Sequence, residues 1–113
     1  LLARAIHAEA RGESYTGKVA VGAVILNRIR SPLFPNTLKE VVYQKNAFTC
    51  VQDRQILLTP CLDCYKAAFD AILGKDPTNG CLFYYNPKTA TSRWMRERRT
   101  IDVVTIGNHV FMR

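Results

Sequence analysis

Among the carboxylates, imidazoles and thiols of this 113-residue chain, one carboxylate stands out by its position. Glu9 shares the i, i+3, i+4, i+7 spacing of Leu2, Ala5 and Ile6, the apolar face of an opening helix that Gly12 breaks. Burial on that face and the negative end of the helix dipole make this an unfavourable place for an ionised group on two counts. A carboxyl that holds its proton is what a general acid needs. The position also suits a glutamate that reaches solvent or pairs with Arg11 or Arg28, and spacing alone leaves both open. Glu13 is a second candidate, expected in a solvated loop after the helix break. His7 and His109, the two histidines, are expected as helix-surface and strand residues rather than as bases. G-x-S-x-G, H-E-x-x-H and a phosphate-binding glycine loop do not occur, which argues against serine hydrolases, zincins and nucleotide enzymes.

Four cysteines stand at 50, 61, 64 and 81, and the spacing resembles half a metal site only at Cys61-Leu-Asp-Cys64. A zinc ribbon needs two such pairs, so the expectation is that no metal is required and no cysteine is catalytic. Disulfides and buried free thiols both remain open for the set. Cys61 and Cys64 fall in the first turn of an expected helix, where the dipole lowers a thiol pKa and i, i+3 spacing lets them approach.

Two segments have the look of ligand surface. Phe83-Tyr84-Tyr85-Asn86-Pro87 joins aromatics to an amide, a combination that stacks on and hydrogen-bonds sugar rings. Strand alternation sends Tyr84 to the face opposite Phe83 and Tyr85, so at least one of the three is core. Gln44 to Gln55, with Phe48, Thr49, Asp53 and Gln55, lacks periodicity and reads either as a binding loop or as a connection.

The elements that must position these residues follow from the pattern. Helices are expected over 1–11, over 17–30 (apolar nearly all round) and from the Thr37-Leu-Lys-Glu40 capping box to Tyr43. Another is expected from an N-cap at Thr59 with Pro60 at N1, carrying an apolar stripe of Leu62, Tyr65, Phe69 and Ile72 and closing at Gly74. After the 76–80 turn the period shortens. Strands are expected at 81–85, 103–106 and 109–112, the last two joined through Gly107-Asn108 as a type II′ hairpin. Helices followed by a small antiparallel sheet define an α+β class.

Composition bounds the rest. The length fits a single domain over 1–113, and 48% hydrophobic residues exclude a disordered chain. No apolar run approaches the ~20 residues of a membrane span. Sixteen Lys and Arg against nine Asp and Glu give +7, which favours a polyanionic partner: nucleic acid, anionic lipid or an acidic polysaccharide. The nucleic-acid reading rests on six C-terminal basic residues and the single Trp94, which is thin support. Opening on Leu1-Leu2-Ala3-Arg4, the chain reads as a domain cut from a longer exported protein.

Taken as an ordered set, several motifs are more specific than any one of them. His7-Ala-Glu9-Ala-Arg11-Gly-Glu13, Gly17-Lys-Val-Ala-Val with Val24-Ile-Leu-Asn27-Arg28, Phe34-Pro-Asn36-Thr37, Ala47-Phe48-Thr49, Tyr84-Tyr85-Asn86-Pro87 and Ile106-Gly107-Asn108-His109-Val110-Phe111 together resemble the catalytic domain of the SleB family of spore cortex-lytic enzymes. The resemblance spans essentially the whole chain. It implies a lysozyme-like fold and cleavage of peptidoglycan between N-acetylmuramic acid and N-acetylglucosamine, leaving a 1,6-anhydro end. Glu9 then matches the catalytic acid. Phe48, Thr49, Gln55, Tyr85 and Asn86 are expected to line the glycan cleft. The resemblance further implies a monomer acting outside the cytoplasm, on spore cortex or cell wall, with no cofactor, no membrane insertion and no nucleic-acid partner. Glu13 and Asp53 leave simple two-carboxylate hydrolysis open, and a non-catalytic wall-binding module is the remaining alternative. The four cysteines depart from the family's pattern.

Overall fold

The computed structural model describes residues 1–44, 48, 54–88 and 104–113. The described elements run α1 (Leu2–Glu9), α2 (Tyr15–Arg30), α3 (Leu38–Val42), a 3-10 turn (Gln55–Leu57), α4 (Leu62–Ile72), β1 (Phe83–Tyr85), β2 (Val104–Ile106) and β3 (His109–Met112). This is the expected α+β order. Val103 and most of the 44–58 stretch lie outside the described residues.

Helix α2 is the axis of the molecule. Val19, Ala20, Val21, Val24 and Ile25 are buried on several sides of it, with α1, α3 and α4 packed around. It starts two residues before the expected Gly17, because the Ser14 hydroxyl accepts from the Gly17 N–H at 3.1 Å and caps the first turn. Helix α1 stops at Glu9 rather than running to residue 11, and Gly12 turns the chain at φ +81°. Thr37 caps α3 as its sequence suggests, accepting from Glu40 N–H at 3.2 Å and donating to Glu40 Oε1 at 2.8 Å.

The structure corrects the reading of α4 twice. Its N-cap is Cys61, not Thr59: the Cys61 carbonyl accepts from Cys64 N–H, while its own N–H is donated to His7 on α1. The stripe of Leu62, Tyr65, Phe69 and Ile72 faces solvent, with Leu62 69% and Phe69 62% exposed. Cys64, Ala67, Ala68 and Ala71 face the core instead. The reason lies across the interface. A Cβ on Gly22 would sit 2.9 Å from Ile6 Cδ1 and 3.3 Å from Ala71 Cβ, so three helices converge where only small groups fit.

The sheet has the order β1-β3-β2, antiparallel throughout, with Tyr84 opposite Phe111 and Ile106 opposite His109. Gly107 takes φ +59° and Asn108 keeps a negative φ, the signature of the expected type II′ turn. Asp76 anchors the turn that leads into β1. It accepts from Thr78 N–H and hydroxyl, from Gly80 N–H and from Asn27 Nδ2 on α2. Among the described residues no helix is long and apolar enough to cross a membrane.

Candidate active site

Glu9 ends α1 half-buried, and β1, 75 residues further on, supplies its partner. The Tyr84 hydroxyl donates to Glu9 Oε1 at 2.6 Å. That bond is set by the fold on both sides. The break at Gly12 leaves Glu9 at a helix terminus, and the pairing of β1 with β3 puts the Tyr84 ring 5.6 Å from Phe111 and 5.0 Å from His109. The tyrosine body is therefore packed against core, while its polar tip reaches the carboxyl. Neither Arg11 nor Arg28 forms an ion pair with Glu9 among the described residues; Arg11 Nη2 lies 3.1 Å from His7 Nε2.

Arg28 is buried behind this pair. Its Nε donates to the Leu82 carbonyl at 2.7 Å, and its guanidinium carbon lies 4.8, 5.2 and 5.6 Å from the rings of Phe34, Phe48 and Phe83. Burial lowers its pKa, opposed by the nearby Tyr84 and Glu9, and an arginine in such a place stays charged. Three aromatic faces stand in for the water it has lost.

Glu13 is not the solvated loop residue expected. Its side chain is 6% exposed and takes both donors of Asn108: the backbone N–H to Oε1 at 3.0 Å and Nδ2 to Oε2 at 2.9 Å. Desolvation works against the carboxylate, but the two Asn108 bonds, His109 and Lys18 outweigh it and hold the pKa below its ordinary value. An acid held ionised in a bidentate clasp is poorly suited to deliver a proton. His109 is buried, its pKa lowered chiefly by desolvation against the pull of Glu13 and Glu9. Its Nδ1, 3.8 Å from Glu13 Oε1, has no hydrogen-bond partner among the described residues.

The other expected site residues are spread around this centre. Phe48 is buried, its ring 6.5 Å from that of Tyr84 and beside Arg28. Tyr85 is half-buried on β1, and the Asn86 amide oxygen just beyond it accepts from Lys88 N–H at 2.9 Å. Gln55 opens the 3-10 turn. Thr49 and Asp53 lie outside the described residues. Sequence reasoning missed Tyr84 as a partner of Glu9, and strand alternation had at least marked it as facing away from its two aromatic neighbours.

Among the described residues, His7, Cys61 and Cys64 form the cluster whose donor atoms lie close enough together, all within 4.8 Å, to be considered for a metal. Cys81 is buried and its Sγ donates to the Thr78 carbonyl, and Cys50 lies outside the described residues.

Known proteins share this chain's sequence and fold. The chain is 52% identical over 111 residues to the spore cortex-lytic enzyme of Bacillus cereus, and 50% identical to that of Bacillus subtilis. Each match takes in 98% of this chain but only 42% and 36% of the respective relative, so the chain spans well under half their length. Two solved structures share the fold, which is lysozyme-like. The catalytic domain of the Bacillus cereus SleB protein superposes with a TM-score of 0.89 at 51% identity, covering 100% of this chain and 87% of that one. The catalytic domain of the germination-specific lytic transglycosylase SleB from Bacillus anthracis superposes at 0.91, also at 51% identity, covering 99% and 90%. The sequence profile of the Cell Wall Hydrolase family matches residues 12–112. This chain therefore belongs to the cell wall hydrolases, among the relatives of the SleB catalytic domain.

Proposed function

We propose that this domain cleaves the glycan strand of peptidoglycan between N-acetylmuramic acid and N-acetylglucosamine as a lytic transglycosylase, in spore cortex, with Glu9 as the single catalytic group. The observation that carries the reading is the Tyr84–Glu9 bond: it engages Oε1 at 2.6 Å, and Oε2 has no hydrogen-bond partner among the described residues. Glu9 Oε2 gives its proton to the glycosidic oxygen as the C1–O bond breaks. The substrate's acetamido oxygen stabilises the oxocarbenium-like C1. The Glu9 carboxylate then takes the proton of the C6 hydroxyl, whose oxygen closes on C1 to form the 1,6-anhydro ring. Acid and base are one residue, and no water is consumed.

The state of Glu13 favours this over a two-carboxylate hydrolysis, because both its oxygens are engaged by Asn108. Phe48, Thr49, Gln55, Tyr85 and Asn86 are proposed to line or support the glycan cleft, with Phe48 acting from below by backing Tyr84 and Arg28. The domain is proposed to work as a monomer, outside the cytoplasm, without inserting in a membrane.

Glu9→Gln keeps the shape and removes the transferable proton. It is expected to abolish release of soluble fragments from purified cortex peptidoglycan while the protein stays folded. Mass spectrometry of the wild-type products distinguishes the chemistry, since an anhydro end is one water lighter than a reducing end. Reducing ends would replace the transglycosylase reading with hydrolysis. Normal turnover by folded Glu9→Gln would remove Glu9 from its role.

A further inference from the structure

The His7–Cys61–Cys64 cluster is a feature the glycan chemistry does not use. Cys61 is the exposed N-cap of α4 and Cys64 is buried one turn later, with their sulfurs 2.6 Å apart. His7 closes the other side. Its Nδ1 accepts from the Cys61 N–H at 3.3 Å and lies 3.7 Å from Cys64 Sγ, so α1 holds the thiol pair in place. Two sulfurs bound to one tetrahedral zinc stand about 3.7 Å apart, the edge set by Zn–S bonds of about 2.3 Å. The observed pair is far inside that edge, and the histidine nitrogen already faces a backbone N–H. The arrangement suits a bond between the sulfurs better than an ion between them.

We propose that Cys61 and Cys64 form a redox-active dithiol that closes to a disulfide by exchange with a disulfide of a small-molecule thiol. Cys61 is the attacking group. It is the solvent-facing sulfur, and hydrogen bonding from Cys64 lowers its pKa even against desolvation. Its thiolate attacks one sulfur of the oxidant RSSR, an S–S bond forms to Cys61, and RS⁻ departs. Cys64 resolves. Burial, with the adjoining Cys61, pushes its pKa up to about 11, so it stays a protonated thiol until the mixed disulfide is in place. It then attacks Cys61 Sγ and expels the second RS⁻. The two departing thiolates take up the two protons that the cysteines lose. One RSSR is reduced to two RSH, and two thiols are oxidised to one disulfide.

The sequence makes the test direct. Trypsin cuts after Arg54 and Lys66, so one peptide carries Cys61 and Cys64 while Cys50 and Cys81 fall in others. The intact domain is equilibrated in buffers of graded oxidised-to-reduced glutathione ratio, alkylated with N-ethylmaleimide, digested and weighed. The expected result is a single two-electron transition. The peptide carries two labels at the reducing end, and no label with a mass about 2 Da below the dithiol at the oxidising end. Cys64→Ser is expected to trap glutathione on Cys61, and Cys61→Ser to leave Cys64 unmodified. Two labels on the peptide at every ratio would overturn the proposal, as would a cross-link to the Cys50 or Cys81 peptide. So would one tightly bound zinc ion per chain that blocks labelling until a chelator removes it.

Discussion

Tyr84→Phe is the most informative single change, because it deletes one oxygen and leaves a ring held by three others. The hydroxyl donates to Glu9 Oε1 at 2.6 Å, a short bond to a group that carries charge in the proposed reaction. The ring keeps its contacts with Phe48, His109 and Phe111, at centroid distances of 6.5, 5.0 and 5.6 Å. A hydrogen bond to a charged group contributes about 1.5–3 kcal/mol. If the bond is needed to aim the carboxyl, turnover falls about 10- to 150-fold. The melting temperature should move little, since the substitution preserves apolar packing on the Phe111 side. The assay is the initial rate of muropeptide release from purified cortex peptidoglycan, read beside a thermal melt, with Tyr65→Phe on the solvent-facing stripe of α4 as the control. A Tyr84→Phe enzyme within twofold of wild type and equally stable would refute the claim that Tyr84 positions the acid.

Acid should loosen the fold at two places. Glu13 and Asp76 both have folded pKa values below their ordinary 4.5 and 3.8, in each case because hydrogen-bond donors overcome desolvation. Their contribution is therefore complete above those ordinary values and is lost as pH falls through the folded ones. Urea midpoints measured from pH 7 to pH 3 should drop more steeply in wild type than in Glu13→Gln. Gly22→Val should destabilise by about 1–3 kcal/mol, read as a melting temperature lower by several degrees, because the new side chain meets Ala71 Cβ and Ile6 together. Asn86→Ala should raise KM or lower kcat with an unchanged melt; a change in stability without a kinetic effect would assign Asn86 to the turn instead.

How much of this was legible in the sequence depended on whether a residue's partner was near it. Helix α2 and the Gly107 hairpin follow from local patterns, and so does the capped start of α3. Glu9 was visible because an acid on an apolar stripe is a local anomaly. Helix α4 was misread for a physical reason: its periodicity shows an apolar side, but what α4 buries is decided by the surface it meets. Gly22 on α2 offers a shallow seat that alanines fill and that phenylalanine does not. Tyr84 and Glu13 depend on partners 75 and 95 residues away, and nothing within a short window points to them. Register against β3, with Tyr84 opposite Phe111, decides which of three adjacent aromatics turns inward.

The clasp between Glu13 and Asn108 also sets an order of events during synthesis. The acid lies on α1, and the hairpin that engages Glu13 just after it is made 95 residues later. At about 5–20 residues per second that is an interval of about 5–20 s in which α1 and α2 exist without β3. Pairings so distant along the chain close late in folding as well. A nascent domain can therefore carry Glu9 before β1 and its Tyr84 exist, and β1 gains its partner strand only when β3 is made.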